Sequence, residues 1–125
     1  MTKDSELRED GVDLERLRET LRQFARERDW EQFRHPKNIA MTLAGETGEL
    51  LEIYQWLSDE ESRNAREASD TVKATSLELA DIVIYAVQLA DAMGIDLEGA
   101  VTDKIVENEH RYPVASSKGS ARKHR

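Results

Sequence analysis

The stretch from Glu78 to Ala90 reads ELADIVIYAVQLA, and its middle part, IVIYAV, is apolar at every position. Its β-branched residues are typical of strands, but the length of the apolar pattern and its flanks favour a helix. A helix that is apolar on all faces must be buried on all sides. We therefore predict a central helix that follows Thr71, ends at Met93 and has Gly94 as its C-cap.

A first helix is predicted near the N-terminus. Its apolar stripe recurs every three or four residues, at Leu14, Leu17, Leu21 and Phe24. Asp13 is the expected N-cap, because its short side chain can accept a hydrogen bond from the first turn. The helix should end before His35-Pro36, since the residue before a proline disfavours helical geometry.

Two more helices and one loop complete the expected chain path. The second helix runs from about Lys37 to Leu57, and the fourth starts after Asp96 and ends at Pro113. The polar segment from Ser58 to Thr71 is expected to be a loop whose end is already helical. We predict an all-α, four-helix bundle-like domain at 13–113, between a flexible arm at 1–12 and a basic, flexible tail at 114–125.

Composition excludes several classes of function. The chain has 125 residues, enough for one hydrophobic core, and carries 18 basic and 26 acidic residues, a formal net charge of -8. Such a charge repels nucleic acids and anionic membranes. The absence of cysteine excludes disulfides and thiolate ligands. The longest apolar stretch falls far short of the roughly 20 residues of a membrane span, and the N-terminus is charged, which predicts a cytoplasmic protein.

Four acidic residues interrupt the apolar stripes of two predicted helices. Glu46 and Glu49 lie on the second helix, and Glu78 and Asp81 on the third, each pair three residues apart. Residues at this spacing point in similar directions, so antiparallel packing can bring four carboxylates together. Two like charges about 4 Å apart repel by roughly 4 kcal/mol at an effective dielectric constant of 20. A divalent cation would relieve this repulsion, and oxygen ligands alone favour Mg²⁺ or Mn²⁺.

Several motifs together resemble the all-α nucleoside triphosphate pyrophosphohydrolases of MazG type, and within them the dCTP pyrophosphatase subgroup. The motifs are RDWEQF at 28–33, P-x-N at 36–38, GETGEL at 45–50, QW at 55–56, ELADIVIY at 78–85, RYP at 111–113 and KGSARK at 118–123. The resemblance covers nearly the whole chain from Leu14 onward. One departure is Gly45, which stands where the wider family commonly has a further acid.

The resemblance implies a catalytic role for the domain. It implies that Glu46, Glu49, Glu78 and Asp81 hold Mg²⁺ and that water attacks between the α and β phosphates. We expect Glu46 or Glu49 to orient or deprotonate that water. It further implies a dCTP-type substrate, with or without a modified base, and a homo-oligomer that is a tetramer.

Two groups of residues are candidates for substrate binding. Lys104, Asn108 and Arg111 follow spacings of four and three, so they share one helix face, and we expect contacts to phosphates and sugar. Aromatic residues Trp30, Trp56 and Tyr85 are the candidates for the base pocket, although core packing or a subunit contact is the simpler explanation for any single aromatic.

Two alternatives stay open on sequence alone. The chain could be a non-catalytic helical interaction protein whose acids are merely solvated. It could also be a related pyrophosphohydrolase that acts on dUTP or phosphoribosyl-ATP.

Overall fold

A computed structural model describes residues 13–123, so the predicted arm at 1–12 lies outside the described residues. Within that range the secondary structure is entirely helical, which confirms the all-α class. The helices are α1 (Leu14–Glu27), α2 (Pro36–Tyr54), α3 (Asp59–Arg63), α4 (Ser69–Ala92), α5 (Leu97–Arg111) and α6 (Val114–Ser117), with 3-10 turns at Glu31–Phe33 and Ala65–Glu67. Over the same range, each helix is too short or too polar to cross a membrane.

Helix α1 begins and ends for local reasons. The Asp13 carboxylate accepts a hydrogen bond from the Arg16 backbone N–H at 2.7 Å, which confirms the predicted N-cap. After the helix ends, Asp29 adopts φ 54°, a left-handed conformation that acidic and amide side chains tolerate better than most. The chain then turns back, and the Trp30 N–H donates to the Ala25 carbonyl at 2.9 Å.

Helix α2 starts one residue earlier than predicted and ends three residues earlier. Pro36 occupies the first helical turn, where its missing N–H has no helical partner to lose. The segment that follows is more helical than expected. Ser58 and Glu61 form a capping box, in which each side chain accepts from the other's backbone N–H, and this stabilises α3 inside the predicted loop.

Helix α4 is the centre of the first compact unit, which ends at Gly94. It packs against both α1 and α2. Gly94 has φ 66°, so it terminates α4 as a glycine in the left-handed conformation, as predicted. The most buried apolar side chains of the described chain lie on these three helices: Ala25, Ile39, Val87 and Ala90.

The prediction that α4 is buried on all sides is wrong for the single chain. Val83, inside IVIYAV, is 46% exposed, and Leu79, one turn earlier, is 48% exposed. Helices α1 and α2 cover the side of α4 that carries Val87 and Ala90, but a stripe through Leu79 and Val83 faces outward. In the single chain this apolar stripe faces solvent, and contact with another molecule would bury it.

The second compact unit starts at Ile95 and contains α5 and α6. Asp96 accepts a hydrogen bond from the Gly99 backbone N–H at 3.2 Å and caps α5, as predicted. Helix α5 ends at Arg111, two residues before Pro113. The short helix α6 lies at the start of the predicted tail; the flexibility of that tail stays a prediction.

Candidate metal centre

Helices α2 and α4 run antiparallel at the site. Residues late in α2 lie beside residues early in α4: the Tyr54 hydroxyl and the Thr75 hydroxyl are 2.6 Å apart, in a partly buried hydrogen bond. Thr75 precedes Glu78 by one helical turn, so this bond joins the two helices next to the acidic residues. The helix pairing predicted from the two acidic motifs is therefore present.

Three carboxylates converge between these helices. Glu46 and Glu49 of α2 and Glu78 of α4 each place one oxygen within 4.8 Å of the others. Glu46 and Glu78 are partly buried, and Glu49 is exposed, so the group opens toward solvent on one side. Sequence spacing alone predicted that these three residues share one location.

Neighbouring carboxylates change the acidity of Glu46. The pKa of Glu46 is raised above its ordinary value, first by its interaction with the Glu78 carboxyl and next by partial burial. The charges of Asp81 and Glu78 raise it further, while a hydrogen bond with Glu49 acts in the opposite direction. Like charges held together thus favour the neutral form of one member.

The donor set fits a hard divalent cation. One oxygen of Glu46 and one of Glu78, Oε2 in each case, are buried and have no hydrogen-bond partner in the described structure. Ionised carboxylates only accept hydrogen bonds, so buried oxygens in a group of converging acids need a proton or a cation. Glutamate oxygens without nitrogen or sulfur ligands suit Mg²⁺, Mn²⁺ or Ca²⁺.

Asp81 and Tyr85 lie close to this group without completing it. Asp81 is outside the set of oxygens within 4.8 Å, although its charge acts on Glu46. The pKa of Tyr85 is raised by burial first and then by the charges of Glu46 and Asp81. Both side chains are therefore electrostatically coupled to the carboxylates, and their predicted roles as metal ligand and base-pocket residue stay predictions.

The two predicted tryptophans are exposed. Trp56, at the end of the Gln55-Trp56 motif, is 86% exposed. Trp30 is half exposed and meets Phe24 edge to face, with ring centroids 5.8 Å apart. Neither indole is part of the core of the single chain, so core packing does not account for them. A role in the base pocket or in a subunit contact stays a prediction for both.

The predicted phosphate-binding residues belong to the second unit, where two of them pair with an acidic residue. Glu107 accepts from Arg111 at 2.5 Å and from Lys104 at 3.5 Å. These exposed pairs along one helix face are weak, since the median surface ion pair contributes little stability. Lys104, Asn108 and Arg111 do share one face of α5, as their spacing predicted, and their contacts with substrate stay a prediction.

Sequence reasoning missed the hydrogen bond between Tyr54 and Thr75. The two residues are 21 positions apart, and no short motif contains both. A signal was nonetheless present, because Thr75 lies three residues before Glu78 on the face that meets α2.

Loss of this hydrogen bond should destabilise the first unit modestly. We expect Tyr54→Phe to lower the free energy of unfolding by about 1 kcal/mol, because the Thr75 hydroxyl loses a partly buried partner. Urea denaturation of the parent, Tyr54→Phe, Thr75→Val and the double variant provides the measurement. If the two single effects simply add in the double variant, the two hydroxyls do not stabilise each other.

Comparisons with known proteins place this arrangement in a family. The sequence matches the model of the MazG-like family over residues 42–125, more than half of the chain. The chain belongs to the MazG-like family. The resemblance inferred from its motifs is thereby confirmed.

Individual relatives agree with this assignment. The MazG-like chain is 46% identical over 111 residues to dCTP pyrophosphatase 1 of Bos taurus, a match that covers 89% of this chain and 66% of that protein. It is 41% identical to dCTP pyrophosphatase 1 of Homo sapiens, covering 89% and 65% respectively. The chain therefore spans just under two thirds of the length of these relatives.

A solved structure has a similar fold. The crystal structure of a pyrophosphatase from Archaeoglobus fulgidus superposes on the MazG-like chain with a TM-score of 0.72 and 37% sequence identity. The alignment covers 80% of this chain and 92% of that one. The fold of this chain and its sequence motifs therefore indicate the same family.

Proposed function

We propose that this MazG-like chain hydrolyses a deoxynucleoside triphosphate, dCTP or a modified dCTP, to the monophosphate and pyrophosphate. The observation that carries the proposal is the pair of buried, unpartnered oxygens on Glu46 and Glu78 in a three-carboxylate group. Its placement in a chain 46% identical to a dCTP pyrophosphatase supports this reaction over other chemistry that uses a metal ion.

Mg²⁺, or Mn²⁺ in its place, is the cofactor that we propose for the site. Glu46, Glu49 and Glu78 would hold it, with Asp81 as the fourth carboxylate. When bound, it supplies positive charge that offsets the charge of the triphosphate and polarises the attacked phosphorus.

We assign proton transfer, phosphate binding and base recognition to side chains of this chain. Glu49, the exposed member of the group, is placed to orient water or to accept its proton, and Glu46 is the other candidate. Lys104 and Arg111 would bind phosphate oxygens, and Asn108 would bind sugar or phosphate. Base recognition would use Trp30, Trp56 and Tyr85, whose flat faces suit stacking on a pyrimidine.

Self-assembly is part of the proposal. The outward-facing apolar stripe on α4, with Leu79 and Val83 about half exposed, suits burial against a second copy of the chain. The high exposure of Trp56 suits the same explanation. We propose a homotetramer located in the cytoplasm, and sedimentation velocity over a range of protein concentrations measures its assembly. A monomer at all concentrations would contradict this part of the proposal.

A panel of nucleoside triphosphates tests the reaction and its specificity. The panel contains dCTP, 5-methyl-dCTP, dUTP, dTTP, dATP and phosphoribosyl-ATP, with Mg²⁺ present, and both products are quantified. We expect equimolar monophosphate and pyrophosphate, with the highest kcat/KM for a cytosine nucleotide. Preference for dUTP or phosphoribosyl-ATP identifies a related pyrophosphohydrolase, and the absence of turnover on every compound supports a non-catalytic interaction protein.

A further inference from the structure

Arginine side chains cluster around a cavity at the end of α4 that lies farther from the carboxylate group. The cavity measures about 310 Å³ and is lined by Arg22, Arg26, Glu31, Arg34, Asp91 and Ala92. Arg22 and Arg26 are four residues apart on α1 and therefore share a face. Asp91 lies 13 residues after Glu78 on α4, roughly 20 Å along the helix axis. The cavity is consequently separate from the candidate metal centre.

One arginine of the cluster is already neutralised. Arg22 binds Asp91 through two nitrogens, with Nε 2.9 Å from Oδ2 and Nη2 2.5 Å from Oδ1. The Asp91 side chain is only 9% exposed, and the pKa of its carboxyl is lowered, chiefly by this hydrogen bond. Glu19 lies 3.7 Å from the third guanidinium nitrogen of Arg22, Nη1. Arg22 therefore has little capacity left for another anion.

The side chain of Arg34 is partly buried, and its Nε lacks a hydrogen-bond acceptor. Its side chain is 17% exposed, and its contact with Asp91 is an ion pair at 3.7 Å, beyond hydrogen-bond distance. Its Nε is buried and has no hydrogen-bond partner among residues 13–123. Buried polar groups are normally paired, and leaving a charged donor unpaired costs about 1–3 kcal/mol or more. The Nε–H of Arg34 can therefore donate to a ligand in the cavity.

Arg26 has spare donors beside the same cavity. One of its terminal nitrogens donates to the Gln23 side chain at 2.9 Å, which leaves other N–H groups of the guanidinium for a ligand. The remaining acid in the lining, Glu31, forms no ion pair within the described part of the chain. Three arginines against two carboxylates leave an excess positive charge in a chain whose net charge is -8.

We propose that Arg34 and Arg26 bind a phosphate-type oxyanion in this cavity, as a second anion site distinct from the metal centre. The planar guanidinium fork matches two oxygens of a phosphate group and binds them with a pair of charge-assisted hydrogen bonds. Inorganic phosphate and pyrophosphate share this chemistry. The inference does not depend on the proposed reaction, because it rests on residues outside the carboxylate group.

Binding of inorganic anions to the full chain tests the proposal. Isothermal titration calorimetry in HEPES buffer with EDTA uses inorganic phosphate in one arm, pyrophosphate in a second and sodium chloride at equal ionic strength in a third. EDTA removes divalent cations, so binding through the metal centre does not contribute. We expect saturable binding of phosphate, pyrophosphate or both, and none of chloride. The arm with the lower Kd identifies which of the two anions the cavity prefers.

Matched variants separate a specific site from general charge effects. Arg34→Gln should raise the Kd by about tenfold or more, since it removes charge-assisted hydrogen bonds. Arg63→Gln removes the same charge from an exposed position on α3 and should leave the Kd unchanged. Glu31→Gln should lower the Kd, because it removes a repelling carboxylate from the lining. A purely structural role of Arg34 predicts no effect of Glu31→Gln on anion binding.

Three results would overturn the inference. The first is the absence of saturable binding at millimolar phosphate and pyrophosphate. The second is binding that weakens equally in Arg34→Gln and Arg63→Gln, which indicates general electrostatic attraction. The third is a change of sedimentation coefficient in Arg34→Gln while the Kd for phosphate and pyrophosphate stays unchanged, which indicates that Arg34 contacts another copy of the chain instead of an anion.

Discussion

Replacing Glu49 by glutamine should reduce kcat for triphosphate hydrolysis at least about a thousandfold, equivalent to about 4 kcal/mol of transition-state stabilisation. Glutamine keeps the size of the side chain but removes the negative charge and the capacity to accept a proton. Glu49 is also the exposed member of the group, so it is the one best placed to meet solvent water. Asp81→Asn should have an effect of the same order if Asp81 is the fourth ligand.

The control for this measurement is available on the same helix. Glu52 is one turn after Glu49 on α2, is exposed, and lies outside the carboxylate group. Glu52→Gln should therefore keep full activity, and circular dichroism should show equal helix content in all variants. Full activity in either Glu49→Gln or Asp81→Asn, measured at saturating Mg²⁺ and substrate, would refute the proposed site.

The metal-free protein should become more stable, not less, when Glu46 is replaced by glutamine. The folded-state pKa of Glu46 is raised above 4.5, so the folded protein binds its proton more tightly than the unfolded chain does. Stability then decreases as the pH rises from about 4.5 through the folded-state pKa, and the loss persists at higher pH. Glu46→Gln removes this loss, and we expect a melting midpoint a few degrees higher in EDTA at pH 8.

Added Mg²⁺ should make the parent protein more stable than the Glu46→Gln variant. A cation that binds the folded state alone stabilises it by about 2.7 kcal/mol at a concentration 100 times its Kd. The parent should gain this stabilisation, and Glu46→Gln should gain much less. Thermal melts at pH 4 and pH 8, with EDTA or Mg²⁺, give the full comparison. Equal midpoints for parent and variant in EDTA at pH 8 would show that the carboxylates do not destabilise the fold.

Local signals account for much of what could be predicted about the fold. Asp13 and Asp96 as caps and Gly94 as a terminator each act within a few residues, so sequence alone sufficed. The helix α3 follows the same logic. Its capping box at Ser58 and Glu61 has the required spacing, but the high charge of the segment led to the expectation of a loop.

Contacts between residues far apart in the sequence were harder to predict. The proximity of Glu46, Glu49 and Glu78 was predictable. Two acidic motifs with equal spacing imply that each helix has an acidic face, and the two faces can pack against each other. Arg22 and Asp91 are 69 residues apart, and nothing in the local pattern of either residue indicates their contact. The burial of IVIYAV was overestimated because an apolar sequence shows that a face avoids water, but not which molecule covers it.

The exposure of the two indoles gives the protein an optical property. Trp30 and Trp56 are the two tryptophans of the chain, so its ultraviolet emission above about 300 nm is dominated by two side chains at least half in contact with water. Emission from the separated chain should therefore peak at long wavelength and be quenched efficiently by acrylamide. A shift to shorter wavelength on concentration would report subunit contacts, whereas a shift on adding nucleotide would report the base pocket, without any attached dye.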